Sequence, residues 1–445
     1  MQILNKLKLQ LVDFFRKTDA LELYKEFLET QWLPKERMRE MQWQRIKDLL
    51  DHAYTNVPYY HKLFNSIRIK PDNIKSIDDF SRIPILTKDI IRANAKDMLA
   101  TNNKVFQPYK KGTGGSTGNP LLYYMDRKSR SANWATMYRQ WHIGGWTPGD
   151  KIVYLGGSSI YPSINALMKW FYIRLNNWLF LSAFDMSDEN MKLWLKKIKR
   201  WKGRFMHAYA SSAYLLAKYL EYNDIKDISF EAVFTSAEPL YPKYRYTIKK
   251  IFSCEVFDLY GANDGGGYAF ECEEHNGLHC VSERAFIEVL KEDGTMTDDG
   301  EIGEIVSTDL LNYAMPFIRY KVEDNAILDP NPCKCGRRLP LLKKIQGRSH
   351  DFVTSKNGQK VHGEYFAHLI RGIDWIAQFQ VVQETPVVLS IFLKPDRQPS
   401  NSQIKRVKDL LQSKFNGMNI RVNLTDSVHA TKGGKFKYII NKTLE

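Results

Sequence analysis

The sequence has no long apolar run. No part of the 445-residue chain reaches the ~20 uninterrupted apolar residues that a membrane-spanning helix needs. The best candidate, residues 152–184, is interrupted by Lys169, Arg174 and asparagines, which indicates buried core segments instead. A signal-peptide pattern is also missing, because Lys6 and Lys8 break up the first apolar residues. We therefore expect a cytoplasmic protein without a transmembrane span.

Cysteine is scarce and unevenly placed. The five cysteines are odd in number and cluster in the second half of the chain, which argues against the disulfide framework of a small secreted protein. Two of them form the segment Cys333-Lys-Cys335-Gly. Thiols two residues apart before a glycine are typical of a metal-binding turn.

A dense basic block is absent, although the formal net charge is +15. The basic residues are scattered through helical stretches, and the chain shows neither zinc-finger spacing nor an aromatic RNA-binding motif. We therefore expect no nucleic-acid partner. The charge favours solvated surfaces with a bias toward anionic ligands.

The N-terminus has an amphipathic helical pattern. Five apolar side chains between residues 4 and 15 fall on one helical face and are flanked by basic residues. Such a helix is compatible with peripheral membrane contact. Packing against its own domain is the more common arrangement and is the favoured interpretation here.

The organisation of the chain predicts an α/β protein of two domains. Hydrophobic residues make up 43% of the sequence, enough for a large core, and the length exceeds one ordinary domain. Short β-rich runs alternate with helical patterns over residues 105–270, for example at 151–155, 230–235 and 254–260, and residues 281–328 are rich in strands. A boundary is predicted near residues 346–350.

The two predicted domains therefore cover residues 1–346 and 347–445. The first is a large N-terminal domain with mixed sheets and helices. The second is a small α+β domain, with strands at 376–383 and 387–394 and a helix at 402–415. A domain of ~100 residues is of normal size.

A glycine-rich loop at residues 113–120 is the first segment that carries chemistry. Glycines let backbone N–H groups approach phosphate oxygens, and hydroxyl side chains bond the same anion. The loop does not match Walker A, because no Gly-Lys-Ser/Thr follows at the required spacing. The predicted phosphate-binding residues are Thr113, Gly114, Gly115, Ser116, Thr117 and Gly118.

Several further segments follow this loop in a fixed order. They are Ser236-Ala-Glu-Pro239, Tyr260-Gly-Ala-Asn-Asp264, Arg319-Tyr-Lys-Val-Glu-Asp324, Gly347-Arg348 and Thr431-Lys-Gly-Gly-Lys435. With the glycine-rich loop, this series resembles the motifs of the adenylate-forming superfamily, which includes acyl-CoA synthetases, adenylation domains and luciferases. The resemblance covers roughly residues 30–445 and is strongest to the branch of phenylacetate–CoA ligases and CapK-like proteins.

The resemblance implies a role for each segment. Ser236, Ala237, Glu238 and Pro239 would form the adenine-contact loop. Tyr260 would stack on adenine beside Gly261 and Asn263. Asp264 would bind Mg²⁺, Asp324 would hold the ribose hydroxyls, Arg348 in the hinge would contact the nucleotide, and Lys435 would be the catalytic lysine. Tyr209, Ala210, Ser211, Tyr260 and Gly261 would lie beside the acyl group.

The chemistry explains why such residues are needed. Adenylation is the attack of a carboxylate on the α-phosphate of ATP, and both reactants are anions, so positive charge must gather at the reacting centre. Lys435 would bridge the carboxylate and the α-phosphate, while Asp264 would supply an oxygen ligand to Mg²⁺. The resemblance also implies that the C-terminal domain is a mobile lid that rotates after adenylation.

The chain departs from the family pattern at four places. The phosphate loop lacks the usual lysine beside Pro120, Asn263 replaces a serine or threonine, and Asp264 replaces a glutamate. His350 stands where the hinge usually has an aspartate or lysine. None of these changes removes a chemical role that the reaction requires.

A structural zinc site is also predicted. Zinc prefers four Cys or His ligands, often two from each of two loops. The branch resembled here shows the Cys-x-Cys-Gly-Arg segment that begins at Cys333. The predicted ligands are Cys272, His279, Cys333 and Cys335, with His275 as the alternative histidine.

Three functional hypotheses follow. The first is an ATP-dependent acyl- or aryl-CoA ligase acting on a small carboxylic acid, with CoA thiol as the acceptor. The second is an amide-forming ligase that joins a carboxylate to an amine or sugar acceptor in capsular or surface polysaccharide biosynthesis. The third is a nucleotide-binding protein that has lost activity, which the presence of Lys435, Asp324 and Asp264 disfavours. No motif sets the acid, the acceptor or the oligomeric state.

Overall fold

The structure is a computed structural model that describes most of the chain. The described residues are 2–112, 121–156, 166–183, 186–346, 352–356, 360–362, 366, 369–370, 373, 375–415, 417–428 and 439–444. The chain divides into two compact units, Met1–Gln346 and Gly347–Glu445.

The first unit begins with six helices. They are α1 (Gln2–Arg16), α2 (Ala20–Thr30), α3 (Lys35–Asn56), α4 (Pro58–Ser66), α5 (Ile77–Ser81) and α6 (Lys88–Asn94). Local sequence sets several of their starts, since Ser76 and Thr87 accept hydrogen bonds from the first turns of α5 and α6. Proline opens α4, where its missing N–H costs nothing.

A hairpin follows these helices. It is formed by β1 (Tyr109–Gly112) and β2 (Leu122–Met125), and Gly112 pairs with Leu122 at the end where the connecting segment leaves the strands. The glycine-rich loop therefore connects two paired strands.

An eleven-stranded mixed sheet forms the centre of the first unit. Its strands are β3 (Ile152–Gly156), β4 (Trp178–Ser182), β5 (Phe205–Tyr209), β6 (Ala232–Ser236), β7 (Glu255–Ala262), β8 (Gly267–Glu271), β9 (Leu278–Cys280), β10 (Ala285–Leu290), β11 (Ile302–Asp309), β12 (Tyr320–Asp329) and β13 (Leu341–Gln346). Their spatial order is β10-β11-β12-β13-β9-β8-β7-β6-β5-β3-β4.

The sheet has a parallel and an antiparallel half. Strands β4, β3, β5, β6 and β7 run parallel, and the pairs from β7 through β8, β9, β13, β12 and β11 to β10 are antiparallel. The parallel strands are connected through α8 (Ala166–Leu175), α9 (Asp188–Trp201), α10 (Ala210–Tyr222) and α11 (Pro242–Phe252), and α7 (Arg127–Ile143) precedes them. Because crossover helices cover both faces, parallel strands such as β3 and β5 are buried along their whole length.

The helices enclose two parts of one core. Apolar residues of α3 and α4 pack with β10–β12, while α2 and α7 pack with the parallel strands. A fully buried ion pair lies among these helices. Arg139 of α7 donates to Glu283 over 2.6 Å, and Thr30 of α2 donates to the same oxygen over 2.9 Å.

The second unit is a small α+β structure. A hairpin of β14 (Phe352–Thr354) and β15 (Lys360–His362) precedes a four-stranded sheet of β16 (Ile376–Thr385), β17 (Val388–Pro395), β18 (Asn419–Leu424) and β19 (Ile439–Asn441), in the order β18-β17-β16-β19. Helix α12 (Asn401–Lys414) is capped at its N-terminus by the side chain of Ser400. The α/β fold class predicted from the sequence is confirmed.

Within the described residues, each helix is too short or too polar to cross a bilayer.

Candidate active site

Three predicted segments lie at one edge of the sheet. Strands β5, β6 and β7 are parallel neighbours, and the register pairs Tyr209 with Ser236 and Ser236 with Leu259. The carboxyl ends of parallel strands are where α/β folds bind ligands. The predicted adenine loop, the acyl-group residues and Tyr260 therefore share one edge, although 51 residues of sequence separate Tyr209 from Tyr260.

The turn after β6 is held in a strained conformation. Ala237 has a φ of 70°, in the left-handed region that costs a non-glycine residue about 1 kcal/mol or more. The next side chain, Glu238, is buried, and its Oε2 accepts a hydrogen bond from the Ser211 backbone N–H over 3.0 Å. This bond joins the predicted adenine loop to the first turn of α10.

A buried histidine supports the same turn. Trp141 Nε1 donates to His207 Nδ1 over 3.0 Å, so the proton of the neutral ring lies on Nε2. Nε2 in turn donates to Ser236 Oγ over 3.1 Å. Burial lowers the pKa of His207 to about 3 and keeps the ring neutral.

Sequence reasoning missed His207. The available signal was its position in β5, a strand that is otherwise apolar or aromatic, since a buried polar side chain needs hydrogen-bond partners.

The depressed pKa of His207 predicts acid sensitivity. The unfolded chain binds a proton near pH 6.5 and the folded chain does so only near pH 3, so stability is complete above pH 6.5 and falls as the pH drops. The expected slope is about 1.4 kcal/mol per pH unit below about pH 6. Urea unfolding of the wild type and of His207→Gln, which keeps an N–H donor but does not titrate, should show a shallower slope for the variant. Equal slopes would contradict a neutral buried His207.

Tyr260 and Asp324 meet across the sheet. The Tyr260 hydroxyl donates to Asp324 Oδ2 over 2.7 Å. Asp324 lies at a bulge in β12, where residues 322–324 oppose a single residue of β11 and Glu323 has a φ of 71°. Bulges of this kind redirect a side chain, often beside an active site. The structure thus brings together the residues predicted to bind adenine and ribose.

Asp264 and Asn263 are each held by a tyrosine. The Tyr320 hydroxyl donates to Asp264 Oδ2 over 2.8 Å. Asn263 Oδ1 accepts two hydrogen bonds, from the Tyr268 hydroxyl over 2.6 Å and from Asn133 Nδ2 over 3.0 Å. A carboxylate fixed in this way suits Mg²⁺, which is usually bound by one or two carboxylates together with phosphate oxygens and water.

A buried hydroxyl accompanies these residues. Tyr123, on β2 three residues after the glycine-rich loop, has a buried hydroxyl that finds no hydrogen-bond partner among the described residues. Burial, together with the nearby Asp264 carboxylate, raises the pKa of Tyr123 well above 10. The loop-bearing hairpin and the Asp264 segment therefore lie close together.

Some predicted residues lie outside the described part of the chain. These are the phosphate-loop residues 113–118, the hinge Arg348 with His350, and Lys435. Their roles stay predictions.

Four predicted metal ligands are brought together. Cys272 follows β8, His279 is in β9, and Cys333 and Cys335 lie in the turn between β12 and β13. The donor atoms of all four lie within 4.8 Å of one another.

The separations within this group fit a tetrahedral ion. Cys272 Sγ lies 3.7 Å from Cys333 Sγ, and Cys335 Sγ lies 3.4 Å from His279 Nε2. Tetrahedral zinc with Zn–S bonds of about 2.3 Å separates its sulfur ligands by about 3.8 Å. Burial lowers the pKa of His279 to about 4 and so favours the neutral imidazole that binds metals.

The alternative histidine, His275, does not join this group. Its ring nitrogens lie 3.4 Å from carboxylate oxygens of Glu255 and Glu271, and Arg245 is a further neighbour. His275 belongs to an ion-pair cluster between α11 and β7–β8.

Solved structures share this fold. A 2-hydroxyisobutyryl-CoA ligase in the postadenylation state, bound to an acyl-AMP, aligns over 92% of this chain and 90% of its own with a TM-score of 0.73 and 19% identity. The anthranilate CoA ligase AuaEII in complex with anthranoyl-AMP aligns over 74% of this chain and 65% of its own, with a TM-score of 0.53 and 14% identity.

Characterised proteins are similar in sequence as well. Protein CapK of Staphylococcus aureus is 27% identical over 414 residues, which is 90% of this chain and 89% of CapK. Phenylacetate–coenzyme A ligase of Escherichia coli (strain K12) is 27% identical over 335 residues, 72% of each chain. Residues 353–442 match the model of the CapK C-terminal domain.

In fold the chain matches adenylate-forming CoA ligases, and in sequence it is similar to AMP-forming phenylacetate–CoA ligases. Among the relatives, the chain is similar to CapK and to the phenylacetate–CoA ligases, and its C-terminal residues match the CapK C-terminal domain.

Proposed function

We propose that the protein activates a carboxylic acid with ATP as an acyl-adenylate, releasing pyrophosphate, and transfers the acyl group to the thiol of CoA with release of AMP. One observation carries the proposal: strand pairing and side-chain hydrogen bonds bring together the residues predicted to bind adenine, ribose, Mg²⁺ and the acyl group. CoA ligases with bound acyl-AMP share the fold.

The proposed division of labour follows from the hydrogen bonds. The Ser236–Pro239 turn, fixed by His207 and Ser211, contacts adenine. Tyr260 stacks on the base while its hydroxyl orients Asp324 toward the ribose. Asp264 holds Mg²⁺, which neutralises phosphate charge when ATP is bound. Lys435, assigned from its motif, would supply the positive charge that the reacting carboxylate and α-phosphate need.

The acyl group is proposed to lie beside Tyr209, Ala210, Ser211 and Gly261. Tyr209 ends β5, and Ser211 is buried in the first turn of α10. At Gly261 a Cβ atom would come within 2.6 Å of the Tyr268 ring, so this position requires glycine. The backbone at Gly261 therefore packs directly against the Tyr268 ring.

The four Cys and His ligands are proposed to hold a structural zinc ion. The donors join the β8–β9 hairpin to the turn between β12 and β13, and β9 pairs with β13. An ion at this position would fix the antiparallel half of the sheet, which carries Asp324.

An amide-forming reaction is the second candidate. It is favoured by the match to CapK, which extends over 90% of the chain, and by the CapK-type C-terminal domain. That domain is expected to complete the second half-reaction, so an amine or sugar acceptor in polysaccharide biosynthesis is the natural alternative to CoA.

The acceptor can be identified by AMP release. The purified protein, ATP, Mg²⁺ and an acid that supports adenylation are incubated with CoA, amino sugars or amino acids in parallel. Release of several equivalents of AMP per enzyme with CoA as the sole acceptor supports the first candidate. The same release with an amine as the sole acceptor supports the second. Lys435→Ala should abolish the acid-dependent signal in either case.

Replacing Asp324 tests the ribose contact. Asp324→Asn removes the charge that strengthens hydrogen bonds to ribose hydroxyls while keeping an acceptor for Tyr260, so kcat/KM for ATP should fall about 10- to 100-fold. The matched control is Asp329→Asn at the C-terminal end of β12, which should leave kcat/KM within about twofold. An Asp324→Asn enzyme with unchanged kcat/KM for ATP would remove Asp324 from the nucleotide site.

A further inference from the structure

Helix α1 packs against its own domain through one face. Leu9, Val12, Asp13 and Arg16 are buried. Arg16 donates to the hydroxyls of Tyr172 and Tyr138 over 2.6 and 2.7 Å, and its guanidinium lies 3.4 Å from the centre of the Trp134 ring. The packing interpretation of the N-terminal helix holds for this face, and the Tyr172 bond joins α1 to α8.

The other face of α1 and part of α8 remain exposed and apolar. On α1, Leu7, Leu11 and Phe14 follow one another at helical spacing, and Phe14 is 77% exposed. On α8, the exposed apolar side chains are Leu167, Trp170 and Phe171. These two helices, of 15 and 10 residues, carry six of the 18 large hydrophobic side chains that are exposed in the described part of the chain.

The charges on these helices that are not buried have one sign. Lys8 lies on α1, and Lys169 and Arg174 lie on α8, with the Arg174 guanidinium 5.4 Å from the centre of the Trp170 ring. The sole acidic residue in either helix is Asp13, which is buried and bonded to Thr18 and the Leu21 backbone. The exposed surface of α1 and α8 therefore combines apolar and basic groups without an exposed acid.

We propose that the exposed surface of α1 and α8 docks the protein on an anionic lipid bilayer. Leucine, phenylalanine and tryptophan side chains beside basic residues are the composition of helices that lie in the headgroup region. Tryptophan prefers this interface, and each lysine or arginine near an anionic surface adds attraction. A second copy of the chain fits less well, because two such surfaces would bring like charges together.

Vesicle sedimentation tests the proposal with the full-length protein. Vesicles of phosphatidylcholine alone and of phosphatidylcholine with 30–40% phosphatidylglycerol are the probes, that range being roughly what gives a strongly negative surface. We expect binding to the anionic vesicles that is at least about tenfold stronger than to the neutral ones and that weakens as salt is raised from 0.05 to about 0.3 M.

Variants locate the contact. Phe14→Ser on α1 and Trp170→Ser on α8 should each weaken binding to anionic vesicles about tenfold or more. Tyr222→Ser and Tyr246→Ser, which alter exposed aromatics on α10 and α11, are the matched controls and should bind like the wild type. Thermal unfolding confirms that each variant is folded.

Three outcomes would overturn the proposal. The first is no binding to either vesicle, and the second is equal loss of binding in the control variants. The third is a wild-type dimer in light scattering that Phe14→Ser or Trp170→Ser converts to a monomer, which would assign the surface to a second copy of the chain.

Discussion

Lys435→Ala is expected to lower carboxylate-dependent ATP–pyrophosphate exchange by at least about a hundredfold, because removing one group that stabilises transition-state charge commonly costs 10²- to 10³-fold. Two anions must approach each other in the reaction, and in the proposed mechanism Lys435 is the cation that bridges them. Binding of ATP should change much less, because the phosphate loop, Tyr260 and Asp324 remain.

The segment offers its own control. Lys432→Ala removes a positive charge from the same Thr431-Lys-Gly-Gly-Lys435 segment and should keep at least about half of the wild-type exchange rate. Equal losses in the two variants would indicate a general effect of charge. Normal exchange by Lys435→Ala would show that another group performs the bridging role.

Loss of one metal ligand should have the largest effect on stability. The wild type is expected to contain about one equivalent of zinc per chain. Cys333→Ser should reduce zinc content by at least half and lower the melting temperature by on the order of 5–10 °C, because metal binding contributes directly to folding. Metal analysis by mass spectrometry and calorimetry provide the measurements.

A second buried thiol separates metal binding from packing. Cys254 is buried to the same extent as Cys333 but lies outside the ligand group. Cys254→Ser should retain zinc. A chelator should lower the melting temperature of this variant by as much as it lowers that of the wild type. Wild-type protein with less than about half an equivalent of zinc, or a Cys333→Ser variant with full zinc, would contradict the proposed site.

The sequence predicted which strands and motifs form the site, but not how the strands pair or which side chains contact each other. The β-rich runs at 151–155, 230–235 and 254–260 correspond to β3, β6 and β7, because parallel buried strands are continuous apolar runs. The order of motifs then indicated which strand ends carry chemistry. The pairing of Tyr209 with Ser236 depends on sheet order, which no local pattern encodes.

Long-range side-chain contacts were not predictable. His207 and Ser236 are 29 residues apart, and Tyr320 and Asp264 are 56 apart. Hydrogen bonds at such separations depend on tertiary packing, so only the need for a partner is visible in the sequence.

The structure also gives a physical reason for one departure from the family pattern. Asn263 accepts hydrogen bonds from both Tyr268 and Asn133 through one amide oxygen. This leaves both amide N–H bonds of Asn263 for other acceptors, whereas the hydroxyl of a serine or threonine has one proton to donate. The asparagine therefore suits a site with several phosphate oxygens.

Carboxylate-dependent ATP–pyrophosphate exchange tests the central claim most directly. Purified protein is incubated with ATP, Mg²⁺ and labelled pyrophosphate across a panel of aryl, short aliphatic, amino and uronic acids, without an acceptor. The proposed function predicts transfer of the label from pyrophosphate into ATP with at least one acid and none without acid. Exchange with no acid in the panel, or acid-dependent formation of ADP, would contradict adenylate formation.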